Sequence, residues 1–255
     1  MTDHSSARFC AKIATTDSDL KAAQRLRYDV FVEELGGEGT MVDHDARLER
    51  DRFDPFFDHL VLRDEARNLI VGVYRLLRGD QARRAGQFYS EDEYDLGVLK
   101  SSGRNLLELG RSCVHRDYRG GMALFHLWNG LSEYVAAHGI EVLFGVASFH
   151  GTDVAALAQP LSLLHQNHLA PPDLRVRARE AHFQTMNLVP GTAIDRRQAM
   201  IDTPSLIKAY LRLGGYVGEG AFVDHAFNTT DVCLVMDTAR MNSKHARRYL
   251  RDNRG

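Results

Sequence analysis

The sequence predicts a mixed α/β fold of the α+β kind, with a central sheet flanked by helices. An apolar strand from Leu106 to Val114 leads into a short loop rich in arginine and glycine, and a long amphipathic helix follows. A second apolar run, from Glu141 to Ser148, comes directly after that helix. The elements along the chain follow the order strand–helix–strand–strand–strand–helix–strand–helix. Together these observations predict one sheet carrying helices on its faces.

The amino-terminal elements are a strand and a helix. Phe9 to Ile13 alternates in polarity as a strand does. Asp17 or Ser18 is placed to cap a helix that extends to about Leu35, where two glycines follow and end it. Residues 38–58 are acidic and show no clean period, so we expect them to be irregular.

A hairpin and a long connection precede the strand at Leu106. His59–Arg63 and Leu69–Leu77 are rich in β-branched and apolar residues and flank a polar turn, which predicts two paired strands. The connection 79–103 is charged and poorly periodic.

The carboxy-terminal half continues with further helices and strands. Thr152 or Asp153 is expected to begin a helix after the second apolar strand. Residues 170–200 open with two prolines and carry five arginines, and they are predicted to form an insertion. The remaining predicted elements are a helix at Pro204–Leu213 and strands at Tyr216–Val223 and Val232–Met236.

The loop after the central strand has the features of an anion-binding site. It carries Arg116, Arg119, Gly120 and Gly121 immediately before the start of a helix. Free backbone N–H groups and the positive end of the helix dipole attract anions at such a position. Glycine allows a ligand to approach the backbone, and the forked arginine charge suits phosphate. The alternative is an ordinary strand–helix corner with solvated arginines.

Composition excludes several classes of protein. A formal charge of −2 argues against general nucleic-acid binding. The three cysteines are widely spaced within apolar runs, as buried reduced thiols of a cytosolic protein would be, and no spacing predicts a metal site. No apolar run approaches the length of a membrane span, and the polar amino terminus is unlike a secretory signal. We therefore expect a cytoplasmic protein.

The last residues carry a concentration of positive charge. Residues 239–254 contain five arginines and one lysine but a single acid, Asp252. Such a segment predicts a peripheral contact with an anionic surface of the inner membrane, or with an acidic carrier protein. A solvated carboxy-terminal helix is the alternative.

Several segments resemble known acyltransferases. VHRDYRGGMAL resembles the acyl-donor motif of the Gcn5-related N-acyltransferase superfamily, although Met122 stands where that motif has glycine. RLRYDVFVEELGG, VGVYRLL, LELGRSCVHRDYRGG and LIKAYLRLGGYVGEGAFVDHAFNTTDVCLVM resemble the L-ornithine Nα-acyltransferases of bacterial ornithine-lipid synthesis. The resemblance implies the superfamily fold, a mixed sheet with splayed central parallel strands. It also implies an acyltransferase core at 1–170 with its donor motif at 106–138, a family-specific part at 171–238 packed on that core, and a basic helix at 239–255.

The resemblance implies an activity and a donor. The expected reaction moves a 3-hydroxyacyl chain from acyl carrier protein to the α-amine of L-ornithine, giving lyso-ornithine lipid. The donor is then the 4′-phosphopantetheine thioester of the carrier, a co-substrate rather than a bound cofactor. Arg116, Arg119, Gly120 and Gly121 would receive its phosphate and the acidic carrier, and electrostatic complementarity of that kind mainly speeds encounter.

Glu108 is the predicted catalytic base. It interrupts the apolar strand that begins at Leu106, and burying a charged group is costly enough to require a reason. Acylation of an amine requires a group that accepts the amine's proton. The alternative is a structural ion pair with Arg75 or Arg111.

A second resemblance, to the acyl-homoserine lactone synthases, implies the residues that bind the acceptor. It points to Arg27, Asp51, Asp54, Arg75 and Arg111. The two aspartates would hold the second amine of ornithine, and Arg75 would bind its carboxylate in bidentate fashion. Ordinary loop acids and an ion pair on a strand face are the alternatives.

Two other functions stay open. The first is an acyl-homoserine lactone synthase that uses S-adenosylmethionine, although the tryptophan such synthases carry after the first helix is absent here and the segment after residue 170 is long. The second is a protein that binds an acyl carrier or lipid surface without catalysis. Glu108 beside an arginine–glycine turn argues against it.

Overall fold

The computed structural model describes residues 8–39, 41–225 and 227–241. The predicted basic helix at 239–255 therefore lies almost wholly outside the described residues, and its membrane contact remains a prediction. No helix in these described ranges is both long and apolar enough to cross a membrane.

The strands of the described residues are numbered here in chain order. They are β1 (Phe9–Ile13), β2 (Asp58–Asp64), β3 (Leu69–Arg78), β4 (Tyr94–Asp95), β5 (Leu106–Val114), β6 (Val142–His150), β7 (Arg177–Ala178), β8 (Phe183–Gln184), β9 (Tyr216–Val217), β10 (Ala221–Asp224) and β11 (Thr229–Asp237).

The α-helices are numbered in the same way. They are α1 (Asp17–Arg27), α2 (Gly79–Ala85), α3 (Gly97–Lys100), α4 (Ala123–Ala137), α5 (Ala158–His168), α6 (Arg196–Asp202) and α7 (Ser205–Arg212). Two further segments matter below: a π-helical segment at Tyr28–Glu34 and a 3₁₀ turn at Tyr89–Asp92.

The chain forms two compact units, and the described part of the first comprises residues 8–39, 41–86 and 109–139. Its strands lie in the order β1–β2–β3–β5, with antiparallel pairing of β1 on β2 and of β2 on β3. Helices α1 and α4 pack on these strands. One part of the core is a cluster of apolar side chains: Ala23, Leu26, Val30, Val61, Ile70, Val73 and Cys113.

The second unit comprises residues 87–108, 140–225 and 227–241 among those described. The first three residues of β5 pair in parallel with β6, from Leu106 with Val142 to Glu108 with Phe144. Strand β6 pairs antiparallel with β11, which is followed by β10 and β8, while β9 also pairs with β11. Helix α5 packs on α6 and β9. The predicted sheet with parallel and antiparallel strands and flanking helices is confirmed.

The N-cap of helix α1 lies one residue before the first predicted position. Thr16, not Asp17 or Ser18, is the N-cap, because its extended backbone lets its hydroxyl accept the N–H of Asp19 at 3.1 Å. After Arg27 the helix continues as the π-helical segment, which ends at Glu34 with Leu35 as its C-cap, close to the predicted end at about Leu35.

The connection 79–103, whose sequence shows no clear period, holds α2, the 3₁₀ turn, β4 and α3. Two other predictions of elements were wrong. Helix α5 begins at Ala158 rather than at Thr152 or Asp153. The strand predicted at 216–223 is broken into β9 and β10, because Gly218 lies against Val176 and Gly220 has a φ of +80°.

Gly130 sets the approach of α4 to the sheet. A Cβ at this position would lie 2.7 Å from the Cβ of Ala11 on β1. We expect Gly130→Ala to lower the free energy of unfolding by about 1–3 kcal/mol, because this overlap outweighs the better helix propensity of alanine. Urea unfolding measures the change. Adding Ala11→Gly removes the opposing methyl group and should restore much of the loss, and equal losses in the single and double variants would contradict this packing.

Candidate active site

A buried network of ion pairs occupies the first unit. Arg27 from α1 and Arg75 from β3 are both fully buried, and each places an Nη1 atom 2.8 Å from the same oxygen of Asp54. Gln24, one turn before Arg27, donates to the other carboxylate oxygen at 2.9 Å. Asp54 therefore binds two helix residues and one strand residue at once.

Glu49, Asp51 and Arg111 complete the network. Glu49 is buried, forms an ion pair with Arg27, and accepts from Nε of Arg111 at 3.1 Å. Asp51 accepts from Arg75 at 2.7 Å and lies 3.7 Å from Nη2 of Arg111. The side chains of Asp51 and Arg111 are 20% and 16% exposed, so these two form the accessible rim.

The network contains three arginines and three carboxylates, so its formal charge balances. Burial favours the neutral form of Asp54, yet Arg27 and Arg75 outweigh it and hold the pKa of Asp54 well below its usual value. Burial likewise opposes the charge of Glu49, but Arg111, Arg27 and Arg75 keep its pKa below the ordinary value. Both carboxylates are therefore ionised at neutral pH.

The backbone of Arg111 is strained. Its φ is +49°, in the left-handed region that residues other than glycine rarely adopt. Arg111 nevertheless lies within β5. Its guanidinium lies 5.8 Å from the ring centre of Phe31, on the π-helical segment. Strain of this kind persists where the surroundings fix a side chain in place, and it concentrates at functional sites.

A cavity of 360 Å³ lies beside the π-helical segment. Arg47 holds one wall together, because its Nη2 atom pairs with Asp29 at 2.9 Å and with Glu33 at 2.7 Å. The full lining is Asp29, Val30, Glu33, Glu34, Arg47, His115 and Arg116. The cavity thus joins the helical segment to the start of the predicted anion-binding loop.

The predicted anion-binding loop turns sharply between β5 and α4. Arg119 is tied down, since it pairs with Glu34 at 2.8 Å and donates to the carbonyl of Val114 at 3.0 Å. Arg116 is exposed and lines the cavity. Gly120 has a φ of +76°, and a Cβ on Gly121 would meet its nearest neighbour at 3.8 Å, so the loop surface is open.

Glu108 lies in the second unit and is 1% exposed. One carboxylate oxygen accepts the N–H of Tyr89 at 2.7 Å, and the other accepts the N–H of Ser90 at 2.6 Å and the Ser90 hydroxyl. These are neutral donors from the 3₁₀ turn. The predicted site residues therefore fall into three groups: the ion-pair network, the loop and Glu108 with its turn.

Sequence reasoning missed Glu49, Gln24 and Ser90. Glu49 lies in the same acidic segment as the predicted Asp51 and Asp54. Hydrophobic residues in that segment show no periodic spacing, so the sequence does not indicate which acids are buried. Gln24 has a weak signal, its position one turn before Arg27. Ser90 has none, because it lies in a connection without a clear pattern.

Cys113 does not have the properties of a nucleophile. It is buried near the end of β5, and burial raises the pKa of its thiol to about 12. It packs in the apolar cluster with Leu26 and Val73. Within the described residues no group of three or more His, Cys, Asp or Glu side chains is arranged to hold a metal ion.

Comparison with known proteins decides the family. The model of the acetyltransferase (GNAT) domain matches residues 26–129. An L-ornithine Nα-acyltransferase of Rhodobacter capsulatus is 60% identical over 245 residues, 94% of each chain. A protein of the same name from Brucella abortus is 44% identical and covers 93% of this chain and 87% of its own. This chain belongs to the L-ornithine Nα-acyltransferase family.

Membership confirms the resemblance seen in the sequence, and this member of the family is an N-acyltransferase. Solved structures agree on the fold. FeeM, an N-acyl amino acid synthase from uncultured soil microbes, matches with a TM-score of 0.53 at 12% identity over 92% of this chain and 93% of its own. BjaI, a CoA-dependent acyl-homoserine lactone synthase, matches at 0.52 and 16% identity, over 95% and 87%.

Asp54→Asn tests the network, since it removes one charge without changing the shape of the side chain. We expect the free energy of unfolding at pH 7 to fall by about 3–5 kcal/mol, because two buried arginines lose a counter-charge. The lowered pKa of Asp54 means that its stabilisation is present above its unfolded pKa of about 3.9 and is lost as the pH falls below it.

Urea unfolding of the native and Asp54→Asn proteins between pH 7 and pH 3 measures this difference, which should shrink below about pH 4. Glu65→Gln is the matched control, because Glu65 pairs with Arg8 at the surface and should change stability by less than about 1 kcal/mol. A loss in Asp54→Asn no larger than in this control would contradict the network's role.

Proposed function

We propose that the chain transfers a 3-hydroxyacyl group from acyl carrier protein to the α-amine of L-ornithine, giving lyso-ornithine lipid. The observation that carries this proposal is the near-complete overlap with an L-ornithine Nα-acyltransferase at 60% identity. The arginine–glycine loop supports the proposed donor, because its charge and open backbone suit a phosphopantetheine phosphate. The basic residues of 239–254 supply charge for a peripheral contact with an anionic membrane, where the amphiphilic product would reside.

The accessible rim of the ion-pair network is the proposed acceptor site. Arg111 and Asp51 offer one positive and one negative group that are partly exposed, which suits a free amino acid carrying both charges. Arg27, Asp54 and Arg75 are too deeply buried to be primary contacts in this arrangement. Their proposed role is to hold the two rim side chains in place.

The donor loop is proposed to act through Arg116 and the two glycines. Arg116 is exposed, whereas Arg119 already pairs with Glu34. Helix α4 has fifteen residues, and its N-cap, Met122, makes no side-chain capping bond, which leaves backbone N–H groups for an anion. Arg119 is proposed to fix the shape of the loop, and Arg116 to meet the phosphate and the acidic carrier.

Glu108 is the proposed general base. The neutral α-amine of ornithine attacks the thioester carbonyl carbon, a C–N bond forms, and the C–S bond breaks. The proton leaving nitrogen passes to the Glu108 carboxylate and then to the departing thiolate, which leaves as the free thiol of the carrier. Donors from the 3₁₀ turn hold both oxygens of the Glu108 carboxylate and so set its orientation.

The reaction is tested by thiol release from 3-hydroxyacyl carrier protein with ornithine, lysine, glutamine, glycine or S-adenosylmethionine as acceptor. We expect release with ornithine and a product mass equal to that of the N-acyl amino acid. Release with S-adenosylmethionine alone would instead identify a lactone synthase. Folded protein that binds the carrier but releases no thiol with any acceptor would indicate a binding protein.

Arg111→Lys tests the acceptor site. It keeps the charge but loses the forked geometry, so we expect KM for ornithine to rise about tenfold while KM for the acyl carrier changes little. The matched control is Arg104→Lys, since Arg104 forms a bidentate pair with Asp237 at 2.9 and 2.8 Å and has a comparable exposure. Equal effects of the two changes on KM would contradict the assignment.

A further inference from the structure

Ser90 binds the carboxylate of Glu108, the proposed base, through its side chain as well as through its backbone. Its hydroxyl and its own N–H both reach the same oxygen of Glu108, while the N–H of Tyr89 holds the other oxygen. Both oxygens are therefore fixed, and the plane of the carboxylate cannot rotate freely. Ser90 and Glu108 are each 1% exposed, so water does not easily replace the hydroxyl.

The 3₁₀ turn is closed by other residues. The side chain of Glu91 accepts the N–H of Phe88 at 2.8 Å, which caps the turn. Arg179 donates to the carbonyl of Glu91 at 2.5 Å, and the ring of Phe88 packs edge-on against Phe144 with centres 5.1 Å apart. The fold of the turn thus has supports independent of the Ser90 hydroxyl, whose described hydrogen bond goes to Glu108.

A carboxylate presents about four lone-pair sites to donors. Donors from the turn each use one such site, and their fixed positions set the orientation of the Glu108 carboxylate. Small errors in the placement of a catalytic group reduce rates strongly, whereas they leave the binding of substrate nearly unchanged. The Ser90 hydroxyl is the one of these three donors that belongs to a side chain.

We propose that Ser90 is a positioning residue for the acyl transfer, fixing the Glu108 carboxylate in the orientation that accepts the proton of the amine. This inference rests on the proposed role of Glu108 as base. Ser90 touches neither substrate in this assignment and acts only through Glu108. The amine proton still passes to Glu108 and on to the thiolate, and Ser90 keeps its own hydroxyl proton throughout.

Four variants test the proposal: Ser90→Ala, Ser90→Thr, Glu108→Gln and the double variant Ser90→Ala/Glu108→Gln. Single-turnover acyl transfer from 3-hydroxyacyl carrier protein to ornithine gives the rate, and steady-state thiol release gives both KM values. We expect Ser90→Ala to lower the rate about tenfold to hundredfold with KM values within about twofold. Ser90→Thr keeps the hydroxyl and should recover most of the rate.

The double variant separates positioning from a general effect. Since Ser90 acts through Glu108, removing its hydroxyl should change nothing once Glu108 is glutamine, so the double variant should match Glu108→Gln. Ser162→Ala is the matched control for stability, because Ser162 is another fully buried serine of the second unit, and its hydroxyl bonds backbone groups of 186–189. It should lower the melting temperature at least as much as Ser90→Ala without lowering the rate of the folded protein.

Each outcome has a distinct meaning. An unchanged rate in Ser90→Ala, or a further loss in the double variant beyond Glu108→Gln, would overturn the positioning role alone. A full rate in Glu108→Gln would overturn the base and with it this inference. Absence of transfer by the native protein with every acceptor would overturn the proposed function itself. If Ser90→Ala does not fold, Ser90→Thr and Ser90→Cys carry the comparison, with the weak thiol donor expected to give an intermediate rate.

Discussion

The desolvation of four buried charges is the constraint on which the first unit depends. Arg27, Arg75, Asp54 and Glu49 are almost wholly removed from water, and each would be strongly unfavourable there alone. Their placement is tolerable because each charge meets an opposite one at hydrogen-bond distance. Helix α1, strand β3 and the segment 38–58, which carry these four charges, must therefore reach their native positions together for every charge to be paired. The network links distant parts of the sequence through a requirement that apolar packing does not impose.

This requirement explains the division between rim and interior. A substrate that reached Asp54 would have to displace a buried arginine from its carboxylate. Asp51 and Arg111 meet water on one side, so they can exchange solvent for ligand at lower cost. In the proposed function, the buried charges hold the rim in place and the two rim charges bind the acceptor, and exposure distinguishes the two groups.

Sequence patterns predicted the regular elements well and the contacts poorly. Strands β1 and β5 have the predicted limits, because alternation and apolar runs report directly on burial. The predicted charged residues do gather, yet their individual partners were not predictable: Glu108 bonds Ser90 across a sequence separation of eighteen residues. Glu49 was missed because an acidic loop gives no sign of which carboxylate is buried. Short elements such as β4 and α3 fell below the length at which a period is visible.

The interleaving of the two units along the chain has a consequence for synthesis. Strand β5 contributes Leu106–Glu108 to one unit and Leu109–Val114 to the other. The first unit lacks part of its sequence until Gly139 has left the ribosome. By then residues 87–108 of the second unit have already emerged, but β6 and β11 of the same unit have not. Neither unit is a continuous stretch that finishes before the other begins. A break in the chain between Glu108 and Leu109 would therefore leave two fragments, neither of which carries the whole of either unit.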